Sequence, residues 1–340
     1  MTLSTFLIIL LVLVILAYFI KRWANGPMNL IKKDLTDKFV IVTGSSDGIG
    51  VETAKDLLKS NAKVVFACRN KSKTENIINS LPEKLKKNAI FLQLDLESFK
   101  SIENFSKEIK SKYPKIDILI NNAGIAWLNL DKTEDDFINI YQVNYLGNVL
   151  LTLLLLDHFN EKESKIVNVS SRAYKRSQIE YGYSKYMSNF DEMKNYYSQM
   201  KRNHVIYADT KLLLVYFSQY LANFFEKKYP YLKIVCLHPG VIFTNIFKID
   251  KLIFKLLFHL IFKNIFYFFT KDIVHGAQTT LFLSYSDNKD LANGGYYSDL
   301  KLEKYTPKGK DEKLRNEMVN ETLKILKGKY KELEFLPLSE

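Results

Sequence analysis

The sequence predicts an α/β fold: one domain built as a doubly wound parallel sheet, behind an N-terminal membrane anchor. Three observations lead there. Short apolar runs of strand length alternate with longer helical patterns from residue 38 to 298, with no linker-like break. The glycine-rich segment Thr43-Gly44-Ser45-Ser46-Asp47-Gly48-Ile49-Gly50 stands between the first such run and the first helical pattern. Residues 3–20 are almost wholly apolar and are followed by Lys21-Arg22.

Taken in order, residues 1–22 read as a transmembrane anchor. Eighteen apolar residues span roughly 27 Å as a helix, enough for a bilayer core. No basic side chain precedes the run and no clear small-residue cleavage site follows it, so the segment reads as an uncleaved anchor rather than a secretory signal. Lys21, Arg22, Lys32 and Lys33 place the rest of the chain on the cytosolic side of a single-pass topology. Residues 23–36 form a basic juxtamembrane segment and 37–300 the main domain. Strands are expected at 38–43, 63–68, 89–94, 116–121, 165–170, 233–237 and 295–298. Helical patterns fill the intervals, among them 49–60, 134–159 and 207–226. Residues 172–206 are polar, tyrosine-rich and without clear period; a connection this long suggests a wall or lid of the substrate pocket. In 251–270, Lys251, Lys255, His259 and Lys263 recur every four residues on an otherwise apolar background. That stripe suits a helix lying in the bilayer interface with its lysines snorkelling, and equally an amphipathic helix that caps the pocket or meets a second copy. Residues 301–340 read as a C-terminal helical extension.

Composition narrows the function. The net charge is +12, but only six of the 49 basic residues are Arg and they do not cluster. This is a lysine-rich solvated surface that can attract anionic lipid, not a nucleic-acid interface. The two cysteines, Cys68 and Cys236, sit inside apolar strand patterns and read as buried free thiols of a reducing compartment. No metal-ligand spacing is present.

The glycine segment has a physical purpose. Gly44 allows the tight turn after the strand, Gly48 allows close backbone approach, and Gly50 lets the helix pack on the strand. Together they bring a pyrophosphate to the N–H groups and positive dipole end of the helix. The residue ending strand two decides between dinucleotides. An acid would bind a ribose 2′-hydroxyl, whereas Arg69 can pair with a 2′-phosphate, so NADP(H) is expected. Carbonyl–alcohol interconversion also needs a proton donor. A tyrosine, with an ordinary pKa near 10, serves when a lysine one helical turn away stabilises its phenolate. Tyr-x-x-x-Lys puts both on one helix face. The pattern occurs at Tyr181/Lys185, Tyr197/Lys201, Tyr207/Lys211 and Tyr229/Lys233. Only Tyr207 opens a long apolar helical run followed by a strand and His238-Pro239-Gly240.

Six ordered motifs resemble the short-chain dehydrogenase/reductase family over roughly residues 36–300: the glycine segment, Asn121-Asn122-Ala123-Gly124, Asn144, Ser170-Ser171, Tyr207-Ala208-Asp209-Thr210-Lys211, and His238-Pro239-Gly240 with Thr244 beyond. The resemblance implies a Rossmann-type sheet and a residue set. Tyr207 is the general acid/base, Lys211 tunes it and holds the nicotinamide ribose, Ser171 bonds the substrate oxygen, and Asn144 anchors a proton-relaying water. Gly44, Ser46, Gly48, Ile49, Gly50, Arg69, Asp95 (against the adenine), Asn122, Gly124, Tyr207, Lys211, Pro239, Gly240 and Thr244 hold the cofactor. Ala67-Cys68-Arg69-Asn70, the run Ile166 to Ser171 and His275-Gly276-Ala277-Gln278 look like the retinol dehydrogenase branch, whose members often carry an N-terminal anchor. The implied reaction is retinal–retinol interconversion at a membrane such as the endoplasmic reticulum. The implied partners are a lipophilic small molecule and a lipid bilayer, and a homodimer is allowed. Reduction of another lipid carbonyl, steroid or keto-sphingoid, is the alternative, as is a non-enzymatic cofactor-sensing membrane protein.

Overall fold

The structure, a computed structural model, describes residues 2–126, 130–199, 205–242 and 267–338. Helix α1 (Leu3–Asn25) opens on a Thr2 cap, and its apolar side chains are almost all exposed. The domain then alternates β1 (Phe39–Thr43), α2 (Gly48–Lys59), β2 (Lys63–Cys68), α3 (Lys71–Asn79), the short α4 (Glu83–Lys86), β3 (Ala89–Gln93), α5 (Phe99–Lys112) and β4 (Ile118–Asn121). Strand four is shorter than its apolar run: Ile116 makes only an isolated bridge to Phe159.

The 134–159 pattern is not one helix. It holds α6 (Asn139–Tyr141), a π-turn (Gln142–Leu146), α7 (Gly147–Leu155) and a 3-10 turn (Leu156–His158), all but the end of that turn buried. β5 (Ser164–Val169) leads into the 172–206 segment, where two 3-10 turns, Arg172–Arg176 and Tyr183–Tyr186, precede α8 (Phe190–Gln199). Its tyrosines hold it together, the rings of Tyr183, Tyr186, Tyr196 and Tyr197 lying 4.7–6.4 Å apart. α9 (Ile206–Phe225), β6 (Leu232–His238), α10 (Ile273–Tyr285), β7 (Tyr296–Ser298), β8 (Lys301–Glu303) and α11 (Glu312–Lys327) complete the order among the described residues.

The sheet runs β3-β2-β1-β4-β5-β6-β7-β8, parallel except for β8, which pairs antiparallel with β7. Each central strand is buried on both faces, as expected where helices cover both sides. The chain order reverses between β1 and β4, the switch point where a doubly wound sheet opens a crevice at its carboxyl edge. One apolar cluster fills the α5–α7–α9 side and a second the α2–α10 side.

α1 is fastened to the domain at its C-terminal end. The Lys21 ammonium donates to the Tyr267 and Thr270 carbonyls at 2.7 and 2.8 Å. Asn25 exchanges hydrogen bonds with Asp272, and Gln278 receives the Asn29 N–H. The whole Lys251, Lys255, His259 and Lys263 stripe lies outside the described residues, which resume at Tyr267.

Candidate active site

The crevice is built first by the turn after β1. Gly44 and Gly48 adopt φ of +65° and +53°. A Cβ on Gly44 would sit 2.8 Å from the Ala123 Cα, and one on Gly50 would sit 2.5 Å from the Gly44 carbonyl. The turn therefore excludes side chains at these points and brings α2 down onto β1 and the β4 loop. Asp47 caps α2 by accepting from the Gly48 N–H at 2.7 Å. The remaining N–H groups of the first turn have no partner within the helix, so a cradle for an anion is present. Ser46, Gly48 and Ile49 are half-buried on this rim, and Ile49 packs beside Gly276 of α10. Asn122 donates to the Thr43 carbonyl at 2.8 Å, and the Thr43 hydroxyl accepts from the Asn122 and Ala123 N–H groups at 3.0 Å each. These bonds lock the β1 turn to the Asn122–Gly124 loop.

At the outer end, Arg69 follows β2 and Asp95 follows β3. Arg69 pairs with Glu97 at 3.1 Å, and Lys73 pairs with Asp47 at 2.6 Å. Asp95 accepts from the Glu97 N–H and orders that loop. Sequence reading missed Lys73 and Glu97. Both lie within four residues of a motif position, but each sits in an exposed, charge-rich stretch that reads as surface.

The second cluster lies beside β5. Ser170 is buried and donates to the Lys211 carbonyl at 2.9 Å, while Ser171 faces the Tyr207 phenol. The two serines thus point to opposite sides, as alternation along an extended backbone requires. α9 presents Tyr207 and Lys211 one turn apart, with the Lys211 Nζ 5.7 Å from the Tyr207 ring centre. Lys211 is buried and donates to the Val169 carbonyl at 3.0 Å. A Cβ on Gly124 would stand 3.2 Å from Asn144 Oδ1 and 3.3 Å from Lys211 Nζ, so Gly124, Asn144 and Lys211 meet. Asn144 occupies the middle of the π-turn, a feature that recurs at functional sites. Its side chain accepts from the Ile125 N–H at 2.7 Å, donates to the Ile125 carbonyl at 2.8 Å and reaches Thr210 at 3.2 Å.

Burial sets the electrostatics. It pushes the Tyr207 phenol above its ordinary value, against the hydrogen bond from Ser171 that favours the phenolate. It pulls the Lys211 ammonium down to about 8. His238, buried at the end of β6, is likewise lowered to about 4. The other Tyr-x-x-x-Lys tyrosines are engaged elsewhere. Tyr181 donates to Asp311 at the surface, Tyr197 donates to Asp209, and Tyr229 packs on Phe225 ahead of β6. Lys201 lies outside the described residues.

Pro239 and Gly240 follow β6, Gly240 at φ +96° with the Lys271 side chain over it. Thr244 lies outside the described residues. Asp209, on the same helix as Tyr207, went unread. Its buried carboxylate accepts from the Ser177 hydroxyl, the Gln178 N–H and the Tyr197 hydroxyl at 2.7–2.8 Å, tying the 172–206 segment to α9. Among the described residues no His, Cys, Asp and Glu cluster suits a metal.

Comparison with known proteins agrees with this geometry. Residues 38–188 match the family model described as short chain dehydrogenase. Human retinol dehydrogenase 14 is 33% identical over 298 residues, covering 83% of this chain and 84% of that protein. Human polyprenol dehydrogenase is 31% identical, covering 83% of each. Among solved structures, the 3-ketoacyl-(acyl-carrier-protein) reductase of Brucella melitensis complexed with NADH superposes with a TM-score of 0.56 at 23% identity, covering 77% of this chain and 96% of that one.

Proposed function

The chain belongs to the short-chain dehydrogenase/reductase family, in its retinol dehydrogenase branch, and from that premise we propose a membrane-anchored, NADP(H)-dependent enzyme that interconverts a lipophilic carbonyl and its alcohol. The oxidoreductase class and a nicotinamide dinucleotide follow from the family. The observation that carries the rest is the convergence of Ser171, Tyr207, Lys211 and Asn144 beside the glycine turn.

When bound, the nicotinamide supplies or accepts the hydride. Everything else falls to side chains. Tyr207 carries its proton at neutral pH, as any tyrosine does, and can donate it to a carbonyl oxygen as negative charge develops there; burial, which raises its pKa, works against that transfer, and the Ser171 hydrogen bond works for it. Ser171 is the second hydrogen-bond donor to that oxygen. Lys211, at about 8, is still mainly an ammonium at pH 7. Among the described residues no acid pairs with it, so its charge is available to ease ionisation of Tyr207 in a low-dielectric site. Asn144 braces the Ile125 loop against α9. Gly44, Ser46, Gly48, Ile49, Gly50, Asn122, Gly124, Pro239 and Gly240 are assigned to the cofactor, with Asp95 at the adenine end and Thr244 beyond the described residues.

Preference for NADP(H) rests on Arg69, with Lys73 as a second cation nearby. Each is neutralised by an acid, Glu97 and Asp47, so a 2′-phosphate competes for Arg69. The lipophilic substrate is supported by the relatives: retinol dehydrogenase 14 and polyprenol dehydrogenase are both named for isoprenoid alcohols. The polyprenol name favours longer isoprenoids as a second reading over steroid or keto-sphingoid substrates. Membrane anchorage is supported by α1, long and apolar enough to cross a bilayer and unburied by the domain. The deciding experiment is NADPH oxidation by the full-length protein in lipid vesicles against retinal, a polyprenal, a ketosteroid and a keto-sphingoid. Turnover of the isoprenoid aldehydes supports the proposal; turnover of none removes it.

A further inference from the structure

A group of large apolar side chains stands exposed where α1 meets the domain. Phe269 is 60% exposed and Tyr267 52%, and Phe268, Ile273 and Val274 join them; Trp23, 79% exposed, stands at the same level of α1 on the side away from Lys21 and Asn25. All but Trp23 come from the approach to α10 and its first turn, capped by Asp272. Exposed apolar clusters of this kind in a folded protein mark an interaction surface.

Their height on α1 is fixed. The Lys21 ammonium lies 3.9 Å from the Tyr267 ring centre and bonds the Tyr267 and Thr270 carbonyls. Asn25 and Asp272 exchange two hydrogen bonds at 3.1 Å. The apolar run of α1 ends at Ile20, and the aromatic group is held at the next turns. That is the depth at which Trp and Tyr settle in a membrane, with their apolar bodies toward the acyl chains and their polar edges toward the headgroups.

We propose that Trp23, Tyr267, Phe268, Phe269, Ile273 and Val274 form a second, interfacial contact with the lipid bilayer, one that seats the mouth of the active site on the membrane surface. The inference rests on the reading of α1 as a membrane span, which supplies the occupant: a bilayer crossed by α1 ends beside this face. The link to the site is short. Lys271, adjoining the aromatic segment, bonds the Val241 carbonyl through its N–H at 2.8 Å and lays its side chain over Gly240. A lipophilic substrate dissolved in the bilayer thereby meets the Pro239–Gly240 end of the crevice without crossing water.

The test uses the full chain in phosphatidylcholine vesicles, with an environment-sensitive fluorophore on one engineered cysteine at a time. Cys68 and Cys236 are buried and leave the engineered thiol as the accessible one. Phe269→Cys reports the face, Leu13→Cys the span, and Leu302→Cys, exposed on β8, the aqueous side of the domain. The expected result is a Phe269 probe quenched by lipid-borne nitroxide near the headgroups and several-fold less by aqueous iodide than the Leu302 probe. A Leu13 probe in lipid with a Phe269 probe as iodide-accessible as Leu302 overturns the inference and leaves the anchor standing. A Phe269 probe shielded from both quenchers points to a protein partner, such as a second copy, and also overturns it. A Leu13 probe exposed to iodide overturns the anchor reading, and this inference with it.

Discussion

Replacing Lys211 with methionine should make the protein more stable and inactive at once. Lys211 is 97% buried and, among the described residues, has no acidic partner and donates to the Val169 carbonyl. The fall in its pKa from 10.5 to about 8 corresponds to about 3 kcal/mol by which burial disfavours the ammonium, at about 1.4 kcal/mol per pH unit. The unfolded chain binds the proton more tightly, so the penalty is complete below pH 8 and is relieved as pH rises from 8 to 10.5. Methionine keeps the volume of the stem and removes the charge. Losing the Val169 hydrogen bond offsets about 1 kcal/mol, leaving a net gain of about 2 kcal/mol at pH 7. For a chain of this size that raises the melting temperature by roughly 3 °C. The assay is thermal melting of wild type and Lys211→Met in the same micelles at pH 7 and pH 9. The advantage should shrink by about 1 kcal/mol at pH 9, because wild-type Lys211 is then largely neutral. A variant that melts below wild type at pH 7 would refute the view that a functional demand holds an unpaired charge in the core.

Arg69→Asp should weaken NADPH far more than NADH, whereas Glu97→Gln should tighten NADPH by a few-fold, since the exposed pair that a phosphate must displace contributes at most about 1 kcal/mol; titration with both nucleotides distinguishes these outcomes. Gly44→Ala should cost about 2 kcal/mol or more, because φ is +65° and the new Cβ would press within 2.8 Å of the Ala123 Cα; melting curves and nucleotide affinity should fall together. Asp209→Ala should destabilise by about 2 kcal/mol by removing the acceptor shared by the buried Ser177 and Tyr197 hydroxyls and the half-buried Gln178 N–H, and limited proteolysis should then open the 172–199 region before the sheet.

The sheet was legible because parallel strands buried on both faces read as unbroken apolar runs. Those runs show where strands exist better than where pairing stops, hence the shorter β4. The π-turn at Gln142–Leu146 was hidden because one widened turn inside a buried helical stretch leaves no mark in the apolar pattern. β8 was missed for a local reason: Asp299 and Leu300 both turn at positive φ, and a tight hairpin normally announces itself through Asn-Gly or Asp-Gly. In the site, the motif residues were readable because their spacing follows from the turn and from helical periodicity. Asp209 was not. An acid in the first turn of a helix reads as a favourable dipole partner, and nothing local reveals that three donors from another segment close over it. Glu97 and Lys73 were equally silent, since ion pairs across loops leave no periodic trace.

The central claim is that Tyr207 gives up the proton that completes carbonyl reduction. The direct test is Tyr207→Phe in the full-length protein, measuring NADPH binding and retinal reduction in the same vesicles. The ring and its packing remain, so NADPH should bind nearly as in wild type while reduction falls by about a hundredfold or more. Near-normal reduction by Tyr207→Phe, with loss appearing instead in Tyr181→Phe or Tyr197→Phe, would contradict the assignment.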